Sequence, residues 1–149
     1  MHILIVDQVH PILWERLKEK GHSIDYQPFI SPQAIAQTIH SFDGLVIRSK
    51  MRVHEEVIDQ APRLKFIARM GSGMENIDVS YAQSKGIACM NSPEGNRDAV
   101  GEHALGLLLG LMNKIPLANA QVKAGQWNRE ANRGSELKGK TLGIIGYGN

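Results

Sequence analysis

Five short apolar runs punctuate the first ninety residues: Ile3-Leu4-Ile5-Val6, Ser23 to Tyr26, Gly44-Leu45-Val46-Ile47, Leu64 to Ala68 and Ile87 to Met90. A short continuous run rich in β-branched residues, closed by a turn residue, reads as a strand buried on both faces. The second run is the weakest, with Ser23 and Asp25 interrupting it. Between the runs the pattern changes to helical spacing. Ile12, Leu13 and Leu17 share one face, Glu15, Arg16, Lys18 and Glu19 occupy the others, Pro11 suits a first turn and Gly21 a stop. Ser31-Pro32 reads as a cap followed by a first-turn proline, ahead of a helix whose apolar face is Ile35 and Ile39. A short helix is expected over His54 to Gln60, broken by Pro62, and another over Val79 to Ser84, capped by Asn76 and Asp78 and ended by Gly86. Such regular alternation predicts an α/β fold, a parallel sheet with helices on both faces. Ligands in these sheets sit outside the carboxyl ends of the strands, so the residues just after each run are the candidates for function.

The pattern then shifts. Asp98 to Ala124 can form one long helix, apolar on most of its circumference through Ala104, Leu105, Leu107, Leu108, Leu109, Leu111 and Met112. A helix apolar all round is expected to be buried. Gly106 and Gly110 would allow another backbone to approach, Pro116 should kink the helix, and Gly125 should end it. Thr141 to Ile145 predicts a further strand, which runs into Gly146-Tyr147-Gly148. Trp127 is expected to anchor a core. These features place a domain boundary near residue 98, dividing the chain into 1–98 and 99–149.

Composition adds limits rather than direction. Apolar residues make up 42% and charged residues 21%, enough for a packed core, and the formal net charge of +2 comes without any basic block. No nucleic-acid partner is therefore expected. The longest apolar run, Ala104 to Met112, is far below the ~20 residues needed to span a bilayer, so no membrane partner is expected either. The opening MHILIVDQ has no basic leader and is not expected to be a secretory signal. The single cysteine, Cys89, forms no internal disulfide, which fits a soluble, cytoplasmic protein.

Three strand ends could carry chemistry. The first is Gly146-Tyr147-Gly148. In a dinucleotide fold, one glycine permits the tight turn and the next lets the backbone approach a pyrophosphate. A hairpin turn would show the same two glycines, and a third glycine, a following helix and a ribose-binding acid are not in the sequence. The second is Arg48-Ser49, after the third run. The first run resembles that of a phosphate-accepting receiver domain, which needs a second acid beside Asp7 and an aspartate ending the third strand; this chain has Gln8 and Arg48. A guanidinium there inverts the site, favouring a carboxylate or phosphate over a metal ion. The alternative is that Arg48 pairs with a surface acid. The third is Arg69-Met70-Gly71-Ser72-Gly73, where the glycines could free backbone N–H groups as an anion nest beside Arg69. The alternative is a glycine-rich turn with Arg69 in a structural ion pair. Glu102-His103 reads as a structural pair, and the histidines show no metal-ligand spacing.

Read in order, the stretches Gly44-Leu45-Val46-Ile47-Arg48-Ser49, Arg69 to Asp78, Gly86-Ile87 with Met90 to Asn96, and Glu136 to Gly148 resemble the D-isomer-specific 2-hydroxyacid dehydrogenase family. The intervals agree along the whole chain. The resemblance implies a flavodoxin-like, parallel-sheet substrate domain, followed by a long helix and the first strand of an NAD-binding Rossmann domain. It implies an oxidoreductase that moves a hydride between NAD and a small D-2-hydroxy acid such as D-3-phosphoglycerate, or its 2-oxo counterpart. It places Arg48, Ser49, Arg69, Gly71, Ser72 and Gly73 on the substrate side, with Ser72 also reaching the cofactor. Val100 would meet the nicotinamide end, and Gly146 and Gly148 the pyrophosphate. It implies a homodimer built through the 98–124 helix region. The family's catalytic arginine, glutamate and histidine are expected beyond residue 149, so the 149-residue chain alone is expected to be inactive. A rival of another class is an NAD(H)-sensing corepressor of the C-terminal-binding-protein type, which shares these motifs. A stand-alone anion-binding module is a third reading, which would leave the long apolar helix exposed.

Overall fold

The computed structural model describes residues 1–148. The chain divides into two compact units, Met1–Gly95 and the residues from Asn96 onward. The first unit holds five strands and four α-helices in alternation, besides two short 3-10 turns: β1 (His2–Ile5), α1 (Ile12–Glu19), β2 (Ser23–Tyr26), α2 (Pro32–Thr38), β3 (Gly44–Ile47), α3 (Glu55–Asp59), β4 (Phe66–Arg69), α4 (Val79–Ser84) and β5 (Ala88–Met90). The strands form one parallel sheet in the order β2-β1-β3-β4-β5. That is the strand order of flavodoxin-like doubly wound sheets, and it reverses direction between β1 and β3.

The apolar runs explain the layering. Successive strand side chains point to opposite faces. Leu4 and Val6 therefore pack with Ile35 and Ile39 of the α2 region, Ile58 of α3 and Ala82 of α4. Ile3, Ile5 and Val46 pack on the other face, against Leu13, Trp14 and Leu17 of α1. Full burial of each such side chain contributes about 1.5–3 kcal/mol relative to exposure. Gly44 stands opposite Phe66 in the β3–β4 register, and a Cβ there would overlap the Phe66 ring. Ser31 caps α2, its Oγ accepting from the Ala34 N–H at 3.2 Å. Asp78 caps α4, accepting from the Tyr81 N–H at 3.0 Å. Asn76 does not cap; it points back toward β3, as described below.

The second unit departs from expectation in four ways. The stretch read as a single helix forms two: α5 (Arg97–Met112) and α6 (Ile115–Lys123). Lys114 between them is left-handed, with φ of 53°. In a continuous helix the Met112 carbonyl would accept from residue 116, but Pro116 has no N–H. The Met112 carbonyl accepts instead from the Ser135 N–H at 2.9 Å, so the chain breaks where the proline withdraws the donor. Secondly, no residue of α5 or α6 is buried, and Leu105, Leu107, Leu109 and Leu111 are exposed. Thirdly, residues 141–145 form no strand, because a strand's backbone groups need a ladder partner and none of the described residues supplies one. Trp127, expected in a core, is 80% exposed. No helix among the described residues is long and apolar enough to cross a membrane.

Candidate active site

The carboxyl ends of β1, β2 and β3 meet where the strand order reverses, the position at which such sheets open a crevice. Asp7 and Gln8 follow β1, Pro28 and Phe29 follow β2, and Arg48 and Ser49 follow β3; these six line an open cavity of about 350 Å³. The Arg48 backbone N–H donates to Asp7 Oδ2 at 2.6 Å, and the Lys50 N–H donates to the same oxygen at 3.4 Å. The Arg48 guanidinium donates only to the Gln8 carbonyl, at 3.5 Å, and forms no ion pair among the described residues. The acid beside it, Asp7, holds its backbone rather than its charge.

Arg69 ends the neighbouring strand, level with Ile47. Its side chain is 17% exposed and pairs at 3.5 Å with Glu75, which is 73% exposed. So Arg69 does have the ion pair that the plainer reading expected. The pair is loose, and its Nε is buried with no hydrogen-bond partner among the described residues. With the Glu75 carboxylate open to solvent, a pair at this separation contributes little, on the order of 1 kcal/mol or less. The glycines beside it act differently from expectation. The Gly71 N–H donates to the Arg69 carbonyl at 3.0 Å, so it is not offered to a nest. A Cβ at Gly71 would overlap the Arg69 guanidinium, and one at Gly73 would overlap the Glu75 carboxylate. Both glycines make room for the side chains of this ion pair.

The 69–73 turn is laced to the segment after β5. The Ser92 N–H donates to the Gly71 carbonyl at 3.0 Å, Asn91 Nδ2 to the Ser72 carbonyl at 2.6 Å, and Ser72 Oγ to the Pro93 carbonyl at 3.3 Å. Arg48, Ser49, Arg69, Gly71, Ser72 and Gly73 thus all lie along one edge of the sheet, at or just after the carboxyl ends of two adjacent strands. Two residues absent from the sequence-based set belong there as well. Asp7 stood out in the sequence only through the rejected likeness to a receiver domain. Asn76 reads as a helix cap but donates through Nδ2 to the carbonyls of Arg48 at 3.1 Å and Met51 at 3.3 Å.

In the second unit, Val100 and Gly146 line a cavity of about 760 Å³ with Leu105, Leu108, Leu142 and Ile144. Gly148 is not among its lining residues. Gly146 has φ of +83°, the left-handed turn that glycine permits. Glu102 and His103 are exposed on α5. Burial pushes the Cys89 thiol up from its ordinary value, which leaves it a thiol rather than a nucleophilic thiolate at neutral pH. No three His, Cys, Asp or Glu side chains among the described residues are grouped to hold a metal ion.

The family model described as the D-isomer specific 2-hydroxyacid dehydrogenase catalytic domain matches residues 3–144. The chain belongs to the D-isomer specific 2-hydroxyacid dehydrogenase family. D-3-phosphoglycerate dehydrogenase of Archaeoglobus fulgidus is 35% identical over 148 residues, covering 99% of this chain and 28% of the relative. The Bacillus subtilis enzyme of that name is 44% identical over 110 residues, covering 74% of this chain and 21% of the relative. Among solved structures, the TT0316 protein of Thermus thermophilus superposes with a TM-score of 0.80 at 26% identity, covering 93% of this chain and 46% of that one. An NAD+-bound 3-phosphoglycerate dehydrogenase of Entamoeba histolytica gives 0.67 at 26% identity, covering 76% and 40%. The chain spans about a quarter of the length of the curated relatives it matches.

Proposed function

We propose that this chain is the substrate-facing part of an NAD-dependent dehydrogenase acting on a D-2-hydroxy acid, with D-3-phosphoglycerate the best-supported substrate. The observation that carries the reading is Arg48: a guanidinium with no carboxylate partner among the described residues, beside Ser49 in an open cavity at the strand-order reversal. A permanently charged, bidentate donor group in that position suits a carboxylate or a phosphate. The names of the relatives favour an acid that carries both.

In this reading Arg48 and Ser49 bind one anionic group of the substrate. Arg69, Gly71, Ser72 and Gly73 form the adjoining wall, with Ser72 also reaching toward the cofactor. Val100 would face the nicotinamide end, and Gly146 and Gly148 the pyrophosphate. The fit to NAD rests on Gly146: its left-handed φ is that of a dinucleotide turn, and a Cβ position open on all sides leaves room for a phosphate. When bound, NAD supplies the hydride acceptor. The residues described here bind and orient; no histidine lines either cavity, so none is placed there to move the hydroxyl proton. The exposed leucines of α5 support a homodimer through the 98–124 region, and the free cysteine supports a reducing compartment such as the cytoplasm. No observation favours the corepressor reading.

Titrating the 149-residue chain with D-3-phosphoglycerate, followed by amide NMR shifts, should move resonances around residues 48–49. Arg48→Ala should weaken that binding at least tenfold, the effect of losing about 1.5–3 kcal/mol from a charged hydrogen bond. Unchanged affinity would remove Arg48 from the site. The same chain should not oxidise NADH with a 2-oxo acid, and clear turnover would show that it holds its own proton-transfer group.

A further inference from the structure

Several polar groups that the dehydrogenase reading leaves without a role converge on one stretch of backbone, residues 48–51. Asp7, just past β1, takes the N–H groups of Arg48 and Lys50 on a single carboxylate oxygen, at 2.6 and 3.4 Å. Asn76, in the turn before α4, donates from its amide nitrogen to the carbonyls of Arg48 and Met51, at 3.1 and 3.3 Å. Lys50 adds a third tie, its Nζ donating to the Pro28 carbonyl past β2 at 2.6 Å. That bond turns Lys50 into an anchor rather than a second cation for a ligand.

The chemistry of the two side chains matches the two sides of the segment. Its N–H groups need an acceptor, and a carboxylate only accepts. Its carbonyls need donors, and one amide nitrogen carries two hydrogens. Neither side chain is bonded to the Arg48 guanidinium. We infer that Asp7 and Asn76 are positioning residues, a two-sided clamp that holds the 48–51 backbone so that Arg48 and Ser49 meet an anion in a fixed arrangement. The inference rests on the proposed anion site at Arg48. Its physical basis is preorganisation: a segment already ordered before binding loses less conformational freedom when the ligand arrives.

The test uses the 149-residue chain with inorganic phosphate as the probe, titrated by amide NMR. Asp7→Ala and Asn76→Ala should each weaken phosphate binding at Arg48 about tenfold, in line with losing a pair of backbone hydrogen bonds. Asp7→Asn keeps an acceptor oxygen and should recover most of the affinity. Asn76→Asp keeps the size but turns an acceptor toward two carbonyls, so it should bind as poorly as the alanine variant; a space-filling role would tolerate it. If the alanine variants do not fold, hydrogen exchange of the unmodified chain decides. The Arg48 and Lys50 amides should be protected before phosphate is added, with no further gain at saturation. Protection that arises only with phosphate overturns the clamp. Wild-type affinity in Asp7→Ala and Asn76→Ala, alongside weakened binding in Arg48→Ala, overturns the clamp and leaves the anion site standing. Wild-type affinity in Arg48→Ala overturns the anion site and the clamp together.

Discussion

Single side chains in this molecule take their roles from backbone groups far away in sequence. Asp43 illustrates the rule at the end of the sheet opposite the cavity. It is buried, and its Oδ2 accepts from the His2 N–H at 2.8 Å, while Arg63 and Lys65 lie 3.5 and 3.6 Å from Oδ1. The His2 hydrogen bond first, then the charges of Lys65 and Arg63, hold this carboxyl below its ordinary value of 3.8, against the opposing effect of burial. The folded chain therefore binds this proton less readily than the unfolded chain does. The resulting stability is complete above the ordinary carboxylate value and is lost as pH falls through the lower folded-state value. Asp43→Asn should accordingly be less stable near neutral pH, with the difference from the wild-type chain narrowing below about pH 4. Urea unfolding at several pH values would show this, and parallel curves for the two proteins would refute it. Asp59, bonded to Lys85 and Tyr81, is shifted the same way and should add to the acid sensitivity that remains in both proteins.

At the scale of elements, the break between α5 and α6 is the clearest case of local chemistry deciding a boundary. A proline that cannot donate, a left-handed Lys114 and a carbonyl taken up by Ser135 together end one helix and start another. Gly134 belongs to the same arrangement, since a Cβ there would crowd the Met112 carbonyl and Asn113 at 2.8–2.9 Å. A left-handed non-glycine residue costs roughly 1–2 kcal/mol. Lys114→Gly should therefore be neutral or stabilising by up to about 1 kcal/mol, after glycine's greater entropy loss on folding is subtracted. A continuous helix would respond the other way, losing about 1 kcal/mol to an interior glycine. Denaturation followed by helical circular dichroism, comparing Lys114→Gly with wild type, separates the two directions.

For the whole molecule, the contrast between the two units matters most. Residues 1–95 bury an apolar cluster on each face of the sheet, whereas no residue of α5 or α6 is buried. Leu107 at 62% exposure and Leu111 at 75% lie one helical turn apart, so they share a face. Such apolar surface favours association. The chain should sediment as a dimer or larger species at concentrations on the order of 10–100 µM, a range typical of modest apolar interfaces. The double variant Leu107→Lys with Leu111→Lys should shift it to monomer with its helical signal intact. A wild-type chain that stays monomeric throughout that range would argue against the proposed dimer.

Much of the fold and part of the candidate site were legible in the sequence. The five apolar runs, their turn residues and the caps Ser31 and Asp78 specify strands and helices through interactions within a few positions, which spacing records directly. Arg48 and Arg69 stood out because each closes a run, and parallel sheets carry function at that end. Other features depend on partners that no local pattern records. Asp7 meets the Arg48 backbone across 41 positions, and Asn76 reaches it across 28, because β1, β3 and β4 are neighbours only once the sheet has formed. Gly71 and Gly73 read as a nest until the side chains of Arg69 and Glu75 fill the space above them. The run at 141–145 has the composition of a strand but becomes one only beside a partner strand. The sequence by itself determined the strands and helices of residues 1–95 and the residues that close them, since propensity and periodicity are local. Tertiary structure alone decided which backbone groups those closing residues would hold, since a hydrogen bond needs its partner within about 3 Å and only the packed sheet brings the two together.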